Sequence, residues 1–156
     1  MSRTQLLDRE VAQAMSALAA AAKKGLGDPV LAELVMIRAS QLNHCAFCLD
    51  MHLRAARSNG ESEDRIQLLH AWEEAEDLYT ERERAALALT EAITVLTGGT
   101  SRTKSGGGFV PDEVHDTAAK HFDEGRLAHL IALVTVINGW NRLMVSRRVP
   151  PGGYQP

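Results

Sequence analysis

Apolar positions along this chain recur every three or four residues over long stretches, and strict alternation is almost absent. That is the spacing of amphipathic helices, whose faces repeat every 3.6 residues or so, and not of half-buried strands. Residues 4–24 carry Leu7, Val11, Met15 and Leu18 as one apolar stripe, with Gly25 and Gly27 as the stop. Asp28 before Pro29 reads as an N-cap with proline at the first helical position. The helix it opens, 29–42, is apolar nearly all round (Val30, Leu31, Leu34, Val35, Met36, Ile37), which predicts burial on every side. Asn43 and His44 break it, and a second helix runs on to a stop at Asn59-Gly60.

Ser62 caps a helix that should reach about Trp72, and Thr80 with Glu83 forms a capping box opening a helix over 81–97. Residues 98–109, GGTSRTKSGGGF, read as a glycine- and serine-rich loop. Pro111-Asp112 restarts a helix to about Phe122, and a last helix over 124–147 is nearly unbroken in apolar residues from Leu127 to Ile137. The expected fold is all-α, a compact bundle of about seven helices without internal repeats. Residues 1–27 form an N-terminal helix packing on the core, 28–147 the core, and 148–156 a tail.

At 156 residues the chain can bury about 70% of its unfolded surface. With 45% hydrophobic but only 4% aromatic residues, that core is aliphatic and rich in alanine. A net charge of −3 gives no basic footprint for nucleic acid. No uninterrupted apolar run reaches the roughly 20 residues of a membrane span, and MSRTQLLDRE lacks a secretory signal core, so the cytoplasm is the expected compartment.

Cys45 and Cys48 are the only cysteines, and His52 follows four residues later. Helical residues three and four apart share a face, with Cβ atoms about 5–6 Å apart. Two thiols beside a base can attack, be oxidised to a disulfide and be reduced again. Suppose a helix N-terminus and a histidine lower a thiol pKa by about two units. The thiolate fraction rises about 25-fold, while nucleophilicity falls by roughly sixfold to tenfold. A larger factor, about 10²–10⁴, must come from an acid protonating the departing oxygen of a peroxide, a role His52 can fill.

Glu33 completes the group if the helices fold back at Asn43-His44, because position 52 then lies opposite about position 35. Sharing a stripe with Met36 and Ile37, its carboxyl should be desolvated, which raises its pKa. The relay so built runs from Glu33 through His52 to Cys48, with Cys45 as partner thiol. Other readings of the same residues stand beside it. The CxxC and His52 could be half of a zinc site, although no second cysteine pair is present. The cysteines could be inert and buried, and Glu33 could merely pair with Arg38 or another buried cation. His44 is either a tuning group for Cys45 or a solvated turn residue. Leu49 stands where haem attachment needs a histidine. No cofactor and no metal are expected.

The stretches ELVMIRASQLNHCAFCLDMH, TERERAALALTEAIT, VPDEV and INGWNRLMV resemble the alkylhydroperoxidase D-like branch of the carboxymuconolactone decarboxylase family, over about residues 28–147. The resemblance implies an all-helical fold, assembly into trimers or hexamers, and reduction of hydroperoxides with electrons from a dithiol donor such as a lipoyl domain or thioredoxin-like protein. It makes Cys48 the attacking thiol, Cys45 the resolving thiol, and His52 and Glu33 the proton relay. Some members carry a histidine between the cysteines; Phe47 stands here instead. Asn138, Trp140, Asn141 and Arg142 recur in similar sequences without a chemistry that the sequence reveals. A disulfide reductase or redox sensor, and a lactone decarboxylase independent of thiols, are the competing functions.

Overall fold

The computed structural model describes residues 2–96 and 109–152. Among the described residues seven α-helices follow in order: α1 (Arg9–Leu26), α2 (Pro29–Leu42), α3 (Ala46–Ser58), α4 (Glu63–Leu68), α5 (Glu81–Thr94), α6 (Asp112–His121) and α7 (Glu124–Arg147). Among the described residues there is no strand. The expected loop at 98–109 lies, except for Phe109, outside the described residues.

Helix α2 is the centre of the molecule. Its Leu31, Ala32, Val35, Met36 and Ala39 belong to a core shared with α1, α5, α6 and α7. Leu34 and Ile37 point the other way, into a second core with Ala56, Ile66, Leu69, Trp72, Tyr79 and Leu87. A helix with cores on opposite sides must be apolar all round, as its sequence is. Asp28 Oδ1 accepts the Leu31 N–H at 3.0 Å, and Pro29 occupies the first turn, so the predicted start holds. The Thr80–Glu83 capping box forms in both directions at the start of α5.

The N-terminal helix departs from the prediction. It starts at the Asp8 cap rather than near residue 4, and Gly25 lies inside it. Leu7, Met15, Ala19, Ala22 and Leu26 turn inward to varying degrees, whereas Val11 and Leu18 are 47% and 43% exposed. Alanine-rich helices offer little amphipathic contrast, so the two large side chains were a poor guide to the buried face. Gly25 is a packing residue. A Cβ there would collide with the His129 ring of α7, so the missing side chain lets the two helices approach. The stop is Gly27, whose φ of 67° is the left-handed geometry that glycine adopts without penalty.

Two later helices are also shorter than predicted. The Ser62 helix gives way to a 3-10 turn at Leu69–Ala71, and α5 ends at Thr94. Helix α7 is long and apolar enough to cross a membrane by length and composition. Its inner face is nevertheless taken up by Leu130, Leu133, Val134 and Ile137 in the core and by two hydrogen-bonded asparagines, the arrangement of a core helix.

Candidate active site at the hairpin between α2 and α3

The turn that joins α2 to α3 places the cysteines. Asn43 ends α2, and His44 follows with a φ of 53°, a left-handed conformation uncommon outside glycine. The Cys45 N–H then donates to Ser40 O at 3.0 Å. Cys45 is the N-cap of α3, and its sulfur accepts the Cys48 N–H at 3.3 Å. Cys45 and Cys48 are joined as a disulfide with their Cα atoms 5.3 Å apart, inside the range the bond requires. Both residues are buried, and His44 is exposed.

Asparagines from α7 hold this turn. Asn43 Nδ2 donates to Asn138 Oδ1 and Asn141 Oδ1, each at 2.9 Å. Asn141 Nδ2 donates to Ser40 Oγ at 3.0 Å, and Ser40 Oγ donates onward to Met36 O at 2.7 Å. Asn138 Nδ2 donates to Thr94 Oγ1 at 3.0 Å, which ties α5 into the same network. Here lies the chemistry of Asn138 and Asn141: they are clamps on the residues just before Cys45. A pair of asparagines three apart inside an apolar helix was the available signal, but their partners sit nearly a hundred residues away. Replacing Asn141 by alanine should cost about 1–3 kcal/mol, because it leaves the buried Ser40 hydroxyl and the partly buried Asn43 amide each short of a partner. At about 2–4 °C per kcal/mol for a chain this size, calorimetry would show the loss directly.

The hairpin brings Glu33 to His52, as its geometry predicts. Glu33 Oε2 lies 2.7 Å from His52 Nδ1, and both side chains are buried. The other oxygen, Oε1, accepts from Lys23 Nζ of α1 at 3.0 Å. Sequence reasoning missed Lys23, since nothing in a basic last turn of α1 marks it. Of the alternative pairings, the one with Arg38 does not form, since Arg38 Nε donates to Glu91 Oε1 at 2.7 Å, and the cation that Glu33 meets beside His52 is Lys23.

One expectation is reversed. Burial does push the Glu33 pKa up, but the hydrogen bond and charge of His52, then the charge and hydrogen bond of Lys23, outweigh it and hold the carboxyl below its ordinary 4.5. The carboxylate is therefore ionised and accepts from Nδ1–H of His52. That fixes Nε2 as the nitrogen left to exchange protons.

Cys48 and His52, four apart on α3, lie together on the wall of a cavity of about 520 Å³. Met36, Phe47, Met51, Val136, Ile137, Trp140 and Met144 make the rest of that wall largely apolar, and α1 closes it with Ala19, Ala20 and the stem of Lys23. Cys45 instead borders a separate cleft of about 190 Å³ beside His44, Arg148 and Val149. Among the described residues no group of three or more His, Cys, Asp and Glu side chains is placed to hold a metal ion. His70, His115 and His129 bond within their own helices or turns, away from this cavity.

A model of the carboxymuconolactone decarboxylase family matches residues 9–92, more than half of the chain, and this stretch contains Glu33, Cys45, Cys48 and His52. The chain belongs to the carboxymuconolactone decarboxylase family. Within that family it is AhpD-like. It is 31% identical to an Agrobacterium tumefaciens protein of unknown function, described as a candidate antioxidant-defence protein AhpD. The crystal structure of that protein superposes with a TM-score of 0.81 over 94% of both chains. Two further proteins are also similar. The uncharacterized YdfG of Bacillus subtilis (strain 168) is 43% identical over 114 residues, 73% of this chain and 71% of its own length. The uncharacterized YnjA of Escherichia coli (strain K12) is 32% identical over 127 residues, 81% of this chain and 63% of its own, so this chain spans less than two thirds of YnjA. The family match ends before α7, so Asn138 and Asn141 lie outside it.

Proposed function

We propose that this protein reduces organic hydroperoxides through a dithiol–disulfide cycle of Cys45 and Cys48, with His52 and Glu33 as proton relay. The observation that carries the reading is the disulfide at the mouth of α3, with Cys48 and His52 on one apolar cavity wall and Glu33 bonded to the back of the imidazole. The Cys48 thiolate attacks the terminal oxygen of the hydroperoxide, the O–O bond breaks, and His52 protonates the departing alkoxide to give the alcohol. Cys48 is left as a sulfenic acid. Cys45 attacks that sulfur, a disulfide forms and water leaves. A dithiol donor, of the lipoyl or thioredoxin-like kind, then returns both thiols and becomes a disulfide itself.

The two thiols are activated by different devices. Cys45 caps α3, so the N–H of Cys48 and the helix dipole favour negative charge on its sulfur, which suits attack on a sulfenic acid. Cys48 has the base, which suits the step where a proton must move. An apolar cavity favours a hydroperoxide with a hydrocarbon body over hydrogen peroxide, which has no apolar surface to bury.

In the same reading the chain works in the cytoplasm, where thiols are kept reduced, and assembles into a trimer or hexamer. Exposed Val11 and Leu18 on α1 and Val145 on α7 are apolar surface that assembly would cover. The test is to mix reduced protein with one equivalent of cumene hydroperoxide. Intact-mass analysis should show the loss of two hydrogens, with one equivalent of alcohol formed. Unchanged mass with unconsumed peroxide would exclude the peroxidase. Lactone decarboxylation that survives thiol blocking would point to the other activity of the family.

A further inference from the structure

Lys23 stands where two spaces meet. It lines the apolar cavity together with Cys48 and His52, and it also lines a second opening of about 500 Å³ shared with Glu33, Lys24, Asp28, Ser58 and Asn59. A lysine 42% exposed and paired with a carboxylate is usually a surface ion pair, worth little. Three observations set this one apart. Its partner Glu33 has a side chain only 5% exposed. The two oxygens of that carboxylate are divided, Oε1 to Lys23 at 3.0 Å and Oε2 to His52 at 2.7 Å, so the group has one orientation. And Lys23 comes from α1, whereas Glu33 and His52 belong to the α2–α3 hairpin, so this contact joins the N-terminal helix to the site.

We propose that Lys23 is a positioning residue of this site: from α1 it pins the Glu33 carboxylate so that Oε2 fixes the tautomer of His52. A metal-binding histidine is oriented by the partner of its second ring nitrogen, and the same logic applies to an imidazole that serves a thiol. With Lys23 removed, the carboxylate can rotate, and burial opposes its ionisation with one counter-charge fewer. The other charged groups on this wall do not replace it. Asp28 has the wrong sign and is held by Arg82 at 2.5 Å, and no hydrogen bond or ion pair joins Lys24 to Glu33. The catalytic meaning of the proposal rests on the hydroperoxide reading, but the positioning itself does not.

The test titrates the Glu33 carboxyl by ¹³C NMR and reads the His52 ring nitrogens by ¹⁵N NMR, on the oxidised full-length protein, in wild type, Lys23→Met, Lys23→Gln and Lys23→Arg. A cation beside a carboxylate lowers its midpoint by about 1–3 units, and partial exposure of Lys23 places the effect near the bottom of that range. Both neutral variants should therefore raise the Glu33 midpoint by about one unit and reduce the share of the Nδ1–H tautomer, with Lys23→Arg restoring both. An unmoved midpoint and tautomer in folded Lys23→Met and Lys23→Gln would overturn the proposal. In the reduced enzyme, kcat should fall more than KM rises, and the acid limb of the rate profile should move up with the Glu33 midpoint; a limb that stays put would also overturn the role. If the wild type consumes no hydroperoxide, the functional reading fails, and the two NMR readouts still decide the role of Lys23.

Discussion

Replacing Cys48 by serine should abolish hydroperoxide turnover, by roughly 10³-fold or more, as loss of a nucleophile generally does. Serine keeps the shape and a hydrogen-bonding atom but is not ionised near neutral pH and cannot be carried to a sulfenic acid. Cys45→Ser should behave differently. Its Cys48 remains on the cavity wall beside His52, so one equivalent of peroxide should still be consumed per chain in a single fast step. The product would be a Cys48 sulfenic acid with no resolving thiol, which a dimedone-type probe would trap and mass spectrometry would locate. Steady-state turnover should then fail because no disulfide forms for the donor to reduce. The opposite pattern, a fast first turnover in Cys48→Ser and none in Cys45→Ser, would exchange the two roles and remove the argument built on the cavity.

His52→Ala should lower kcat/KM for the hydroperoxide by about 10²–10⁴-fold, the range for a positioned acid–base group. Glu33→Gln should cost less, because an amide can still accept from Nδ1–H, but it has no charge to favour an imidazolium in the transition state. It also has a pH signature. Burial raises the Glu33 pKa, and the stronger pull of His52 and Lys23 leaves it below 4.5 in the folded protein. A carboxyl whose folded pKa is depressed contributes stability above its unfolded pKa, and that contribution is lost as pH falls through the folded value. Wild type should therefore exceed Glu33→Gln in unfolding free energy at neutral pH, and the gap should narrow as pH drops below 4.5. Denaturant unfolding at pH 7 and at successive acid values measures it. A gap that stays constant through that window would mean that Glu33 is not held ionised by its partners.

The sign of that shift shows where sequence reasoning stops. Glu33 could be placed opposite His52 from the break at Asn43-His44 alone, since a hairpin maps position 52 near 35, and the 2.7 Å contact follows. Its neighbours in sequence are apolar, so desolvation was visible. Lys23 was not, because the approach of α1 depends on how that helix is rotated, and the apolar stripe mixed inward Leu7 and Met15 with outward Val11 and Leu18. Electrostatics at a buried group is settled by the few charges within about 4–6 Å, whichever helices carry them.

By itself the sequence determined what is local: the caps at Asp28, Ser62 and Thr80, the burial of α2, the hairpin, and the shared face of Cys48 and His52. The caps and the shared face rest on interactions between residues a few positions apart, and the burial of α2 and the hairpin show in the pattern of one continuous segment. Tertiary structure alone decided the rest: the rotation of α1 that delivers Lys23, the α7 asparagines that clamp the turn before Cys45, and the apolar cavity that Cys48 faces. Each needs side chains from helices far apart in the chain to meet, and such meetings are set by how whole surfaces pack together rather than by the spacing of residues along any one helix.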